Sequence, residues 1–191
     1  MSKTTKDRIA DAAVSCFKQY GPQRTSMADI AEAAGVSRMT LYRAFEDRPT
    51  LVSYILDRIL ADLAEEPRAK IQSFDTVEEA LVEGSIVSLK VGQQDELFTT
   101  IVLKDTNHSV EQYMLRGSPK VREGMMQTWG PVFEKARAQH AIRTDLNDAR
   151  LVELIISVHS LLFMRDDQTD DERRQFLQDF LVPAVTGKLP G

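Results

Sequence analysis

The sequence predicts an all-α chain of about nine helices, with a three-helix helix-turn-helix head over 1–48 and a larger helical body over 49–191. Three observations carry that expectation. Apolar residues recur at three- and four-residue spacing along most of the chain, the period of a helix with a buried face. Sustained period-two alternation is missing, as are Asn-Gly and Asp-Gly hairpin signals. Ser or Asp stands ahead of several apolar runs and Gly or Pro behind them, residue types that start and stop helices.

The first run, Ile9, Ala13, Cys16, Phe17 and Tyr20, is one stripe of a helix over about 6–19 that Gly21-Pro22 stops. Cys16 lies on the stripe and reads as a small buried hydrophobe. Ser26 with Asp29 three residues on has the form of a capping box, so a two-turn helix begins there. Gly35 ends it by supplying a left-handed turn conformation. Ser37 caps a further short helix to about Ala44, and Asp47 caps a fourth that tolerates Pro49 in its first turn. That fourth helix carries Leu51, Ile55, Ile59 and Leu63, ends near Pro67 and joins head to body.

Two short helices joined through Gly35-Val36 form a helix-turn-helix pattern. At about 100° per residue, Leu41, Ala44 and Phe45 share an inward arc with Ser37 as origin. Arg38, Met39, Thr40, Tyr42 and Arg43 fill the opposite arc. An ordinary solvated face accounts for the two arginines, but less well for an outward Tyr42 and Met39. The body continues as helices over about 76–91, 94–104, 119–139 (bent at Gly130-Pro131), 147–165 and 170–186, with a broken stretch from Asn107 to Gly117.

Composition agrees with a globular chain. The 191 residues hold 24 Lys and Arg against 29 Asp and Glu, a net charge of −5, with 42% hydrophobic and 28% charged residues. Such a chain can bury a proper core, which excludes collagen-like, disordered and disulfide-stapled classes. Cys16 alone forms no intrachain disulfide and fits a reducing compartment. The start MSKTTKDR lacks the apolar core of a signal peptide. Leu151 to Met164, interrupted by Glu153 and His159, falls short of the roughly 20 apolar residues a bilayer requires. The expectation is therefore a soluble cytoplasmic protein with no membrane partner. Eight basic against six acidic residues give 1–48 a charge of +2 and leave −7 for the rest. A mildly basic head on an acidic body is compatible with a nucleic-acid-binding end.

From about Asp7 to Ile59 the chain resembles the amino-terminal DNA-binding domain of the TetR family of bacterial transcriptional regulators. The matching run is Thr25-Ser26-Met27-x-x-Ile30-Ala31-x-x-Ala34-Gly35-Val36-Ser37-x-x-Thr40-Leu41-Tyr42-x-x-Phe45, preceded by Ile9-x-x-Ala12-Ala13-x-x-x-Phe17. The resemblance implies a homodimer that sets one helix-turn-helix from each subunit into a major groove of palindromic double-stranded DNA. It implies that Arg38, Met39 and Thr40 face bases, with Ser37 and Arg43 on the same helix. It implies that Tyr42 contacts a phosphate, that Thr25 and Ser26 lie near the backbone, and that Arg48, in place of the family's usual lysine, serves as a phosphate contact. Ala44 stands where the family usually has His. The resemblance further implies repression relieved by a small-molecule effector whose binding in the body shifts the fourth helix.

The helix over 147–165 has an apolar arc of about 220°, far wider than a one-sided surface helix needs. It is either the centre of a monomeric core or shared between its own core and a partner subunit. The family's two last helices form a bundle across the dimer axis, which makes Leu151, Leu154, Ile155, Val158, Leu162, Phe176, Leu177 and Phe180 the interface candidates. His159, within that arc, is either a satisfied core histidine or a ligand contact. Trp129, Phe133, Phe98, Met114, Tyr113 and Phe163 are either simple core or, with His159, the lining of an effector site between helices. The expected effector is apolar or amphipathic, because no cluster of buried charges is evident.

Enzyme signatures are missing: no phosphate-cradling glycine loop, nucleophile elbow or metal-ligand spacing, and no cofactor is expected. His108 and His140 suggest no metal site. The alternative to a ligand-released repressor is a DNA-bound architectural or scaffolding protein on the same fold that senses no metabolite.

Overall fold

A computed structural model of the chain describes residues 3–104, 113, 118–165 and 167–188, and among these there is no strand. Helix α1, Thr5–Tyr20, opens on a capping box in which Thr4 Oγ1 accepts from the Asp7 N–H and Asp7 Oδ2 accepts from the Thr4 N–H, both at 3.1 Å. Gly21 ends it at φ 84°, a conformation that costs a side-chain-bearing residue dearly. A single 3-10 turn, Pro22–Arg24, leads into α2, Met27–Ala33. Gly35, at φ 63°, turns the chain, and α3 follows over Arg38–Ala44. Helix α4 runs Arg48–Leu63; Asp47 Oδ1 accepts from both the N–H and the hydroxyl of Thr50 at its start.

The chain divides into two compact units. The first comprises Met1–Ile59 together with Asp95–Tyr113. It therefore reaches beyond residue 48, because Leu51, Val52, Ile55 and Leu56 of α4 are buried with Ile9, Phe17, Ile30, Leu41 and Phe45. It also takes in α8, Glu96–Lys104, which packs on α1 and on the 3-10 turn with Phe98 and Ile101 buried. The Tyr113 hydroxyl donates to Asp57 Oδ1 at 2.7 Å. No local pattern in the sequence announces that α8 belongs with the head.

The second unit, Leu60–Gln94 with Met114–Gly191, holds the remaining helices. α5, Glu65–Ser73, was not expected from the sequence. Pro67 reads as a stop signal, but as the third residue of a new helix it sits where no intrahelical N–H is needed. Next come α6, Val77–Glu79, a π turn over Ala80–Gly84, and α7, Ser85–Gln94. Gly84 has to be glycine: a Cβ there would collide with Ile71 of α5. Helix α9, Pro119–Ala138, continues through Pro131. Proline has no N–H to give the carbonyl four residues back, and Gln72 of α5 supplies a donor instead, its Nε2 bonding Gln127 O at 3.0 Å and Thr128 O at 3.1 Å.

Helix α10, Asp148–Met164, packs on α9 and α7. The last segment is α11, Asp170–Phe176, a π turn over Leu177–Leu181, and α12, Val182–Thr186. Its two ends are tied down differently. Arg174 bonds Glu83 at 2.8 and 3.3 Å, and the backbone N–H of Arg143 donates to Val185 O at 3.1 Å. No helix among the described residues is long and apolar enough to cross a membrane.

Candidate nucleic-acid interface

Helix α3 has only two turns, so its conformation depends on its cap and on tertiary anchors rather than on its own propensity. Ser37 Oγ accepts from the Thr40 N–H at 3.2 Å and lies 3.0 Å from Thr40 Oγ1. Leu41 is fully buried and Phe45, just beyond the helix, is buried beside it. The opposite side faces water. Met39 is 80% exposed and Tyr42 52% exposed, and Arg38 and Arg43 are exposed with them. Among the described residues Arg38, Tyr42 and Arg43 enter no hydrogen bond or ion pair within the chain. Two cations, a phenol and a thioether therefore stand out on one face, and their polar groups are not engaged within the chain. Guanidinium groups match the acceptor pair of guanine and phosphate oxygens, and a thioether packs on a thymine methyl.

The other residues assigned from the sequence are occupied closer to home. Thr25 is buried and its hydroxyl donates to Gly21 O at 2.9 Å. Ser26 forms the expected capping box: its N–H and its hydroxyl both reach Asp29 Oδ2 at 2.8 Å, and its Oγ accepts from the Asp29 N–H at 3.2 Å. Those bonds, the Ser26 N–H foremost, hold the Asp29 carboxyl below its usual range. Ala44 is half-buried at the end of α3. Arg48 is turned inward. Its Nη1 donates to Thr25 O at 2.8 Å, its Nη2 to Pro22 O at 2.5 Å, and its guanidinium lies 5.2 Å from the centre of the Phe17 ring.

The sequence alone did not reveal several residues that hold α3 in place. Tyr54 meets Phe45 edge-on at 5.3 Å and donates to Asp7 Oδ1 at 2.8 Å. Burial, then the Asp7 bond, pushes the Tyr54 hydroxyl up, so it remains a donor throughout the neutral range. Arg8 Nη2 donates to Ala34 O at 3.2 Å at the close of α2, and Lys6 lies over the Phe45 ring at 5.6 Å. The available signal was Tyr54 interrupting the apolar run of α4; its partner 47 positions away is not readable locally.

The effector-site candidates fall in different units. Phe98 and Tyr113 belong to the first, and Trp129, Phe133, His159 and Phe163 to the second. Met114 lies outside the described residues. Trp129 and Phe133 are fully buried and stacked at 6.1 Å, and Phe163 is buried. His159 Nε2 lies 2.9 Å from the hydroxyl of buried Ser85. Desolvation lowers its pKa to about 4, so the imidazole is neutral at physiological pH.

The interface candidates also separate. Leu151, Ile155, Leu162 and Leu177 are buried within their own chain. Leu154, Val158 and Phe176 are half-buried, while Phe180 is 61% exposed and touches Phe176 at 4.8 Å between ring centres. Leu161, at 41%, continues the open stripe of Leu154 and Val158 along α10.

A capped two-turn helix presented by buried neighbours, with its outward side chains uncommitted, defines a helix-turn-helix DNA-binding regulator. Residues 9–55 match the family model for bacterial regulatory proteins of the tetR family. An uncharacterized HTH-type transcriptional regulator of Mycobacterium tuberculosis is 30% identical over 184 residues, 94% of this chain and 85% of its own length. Two solved structures share the fold. The transcriptional repressor QsdR of R. erythropolis has a TM-score of 0.69 at 17% identity, over 98% of this chain and 96% of QsdR. FadR of Thermus thermophilus has a TM-score of 0.65 at 22% identity, over 93% of each chain. The chain belongs to the TetR family of bacterial transcriptional regulators, which are DNA-binding proteins and not enzymes.

Proposed function

We propose that the protein is a repressor that binds a palindromic operator as a homodimer and leaves it when a small molecule enters the second unit. The observation that carries the reading is the uncommitted outer face of α3. Arg38, Met39 and Thr40 face base edges, with Arg38 paired to a guanine and Met39 against a thymine methyl. Tyr42 and Arg43 lie against the phosphate backbone, which adds salt-dependent affinity without sequence preference. Ser37, Thr25 and Ser26 fix the helix starts that set this face.

Two-fold pairing gives a short reading helix two half-sites. The open stripe of Leu154, Val158 and Leu161, with Phe176 and Phe180, supports α10 and the last segment as the pairing surface. Such a surface left in water would be costly. Leu151, Ile155, Leu162 and Leu177 support it from beneath.

The effector is an apolar or amphipathic compound. FadR of Thermus thermophilus was solved with lauroyl-CoA and RolR with resorcinol, two unlike small molecules on this fold. In the present chain the Trp129–Phe133 stack, Phe163 and the neutral His159 supply apolar surface and two uncharged polar groups, the His159 imidazole and the Trp129 indole N–H. An effector lowers operator affinity only to the extent that it prefers the form that does not fit DNA.

Selection of bound duplexes from a random library tests the reading, with the assembly state measured by light scattering on the same preparation. A two-fold symmetric consensus bound by a dimer is expected, and release by one compound of an apolar panel completes it. An asymmetric consensus bound by a monomer overturns it, and a complex insensitive to every compound that instead recruits another protein favours an architectural role.

A further inference from the structure

Arg48 lies immediately after the helix-turn-helix, yet its side chain reaches back to the segment that precedes it. Nη1 and Nη2 donate to the carbonyls of Thr25 and Pro22 at 2.8 and 2.5 Å, across 23 and 26 positions of sequence. The same guanidinium rests over the ring of buried Phe17 of α1 at 5.2 Å. One planar cation thus joins the entry to α2 with the exit from α3 and pins both to α1. The carbonyl of Pro22 accepts only a long 3.4 Å backbone bond, from the Thr25 N–H, so the arginine supplies its better donor. Helices α2 and α3 have seven residues each, too few to hold an orientation without tertiary ties.

We infer that Arg48 is a positioning residue for DNA reading: it buckles the helix-turn-helix shut and fixes the angle at which α3 is presented, and it does not act by neutralising a phosphate. A lysine cannot replace it, because a single ammonium lacks the planar fork that serves two carbonyls while stacking on a ring. The inference rests on the DNA-reading role of α3, so the wild-type protein is the control for that role.

The experiment uses the full chain, a duplex selected by it from a random library, and a scrambled duplex of the same composition. Wild type, Arg48→Lys and Arg48→Met are compared for affinity, for preference between the duplexes and for the dependence of affinity on salt, at a temperature where circular dichroism shows all three folded. Both variants are expected to bind the selected duplex at least about tenfold more weakly and to lose preference in parallel, while the salt slope of Arg48→Met stays at the wild-type value. A phosphate contact gives a different pattern. Arg48→Lys would then bind as wild type, and Arg48→Met would keep its preference with a slope shallower by about 0.9. That pattern overturns the inference, as does a fall in melting temperature with binding unchanged in both variants. Failure of the wild type itself to prefer the selected duplex overturns the role of α3, and this inference with it.

Discussion

The desolvated imidazole of half-buried His159 makes the second unit sensitive to acid in a calculable way. Its pKa is about 4 in the folded chain against 6.5 for the free side chain, and desolvation is the cause. A depressed folded-state value means that the unfolded chain takes up the proton first as pH falls. The stability is therefore complete above pH 6.5 and is lost progressively down to about pH 4. At one pKa unit per 1.36 kcal/mol, the full loss is about 3 kcal/mol, and at about pH 5.5 it is about 1.4 kcal/mol. His159→Gln removes the titration and retains a polar group to face Ser85. Urea unfolding of wild type and variant at about pH 7.5 and 5.5, at one protomer concentration, isolates the histidine from the carboxylates common to both. The wild type should lose about 1.4 kcal/mol more than the variant between the two conditions. An equal loss in both proteins would refute the claim that the ring is enclosed and neutral.

Arg38→Ala should cost about 1–3 kcal/mol of operator binding and relax base preference at one position per half-site, read by competition between point-substituted duplexes at fixed salt. Leu161→Glu places a charge on the open stripe of α10 and should convert the dimer to monomer in light scattering while leaving helix content unchanged. Gly84→Ala drives a methyl group into Ile71 and should destabilise by about 1–3 kcal/mol in urea unfolding. Gly124→Ala, where nothing lies within 4 Å of the new Cβ, should stabilise by about 0.5–1 kcal/mol.

Features that depend on neighbours within one or two turns were legible in the sequence. The Ser26–Asp29 capping box, the Ser37 cap, the Gly35 turn and the outward set on α3 need only local stereochemistry, and the structure has each of them. The family match over 9–55 accords with the resemblance drawn from that stretch. Features that depend on distant partners were not legible. α5 was hidden because Pro67 has the same appearance at the end of one helix and in the first turn of the next. Arg48 had the charge expected of a phosphate contact, and only three-dimensional proximity to Pro22, Thr25 and Phe17 reveals what its fork grips. The wide apolar arc of α10 was visible, but a helical wheel cannot divide it between the chain's own interior and the surface left for another subunit.

Helix α3 is anchored from behind, by Leu41, Phe45 and the Ser37 cap with Tyr54 against Phe45, while Arg38, Met39, Tyr42 and Arg43 are exposed on its other side. On the proposed role of α3, exchanging those four side chains changes which DNA is preferred while the buried anchors stay in place. Recognition and foldability can therefore diverge independently, and a duplicated copy of this chain could acquire a new target without first having to recover from a damaged core.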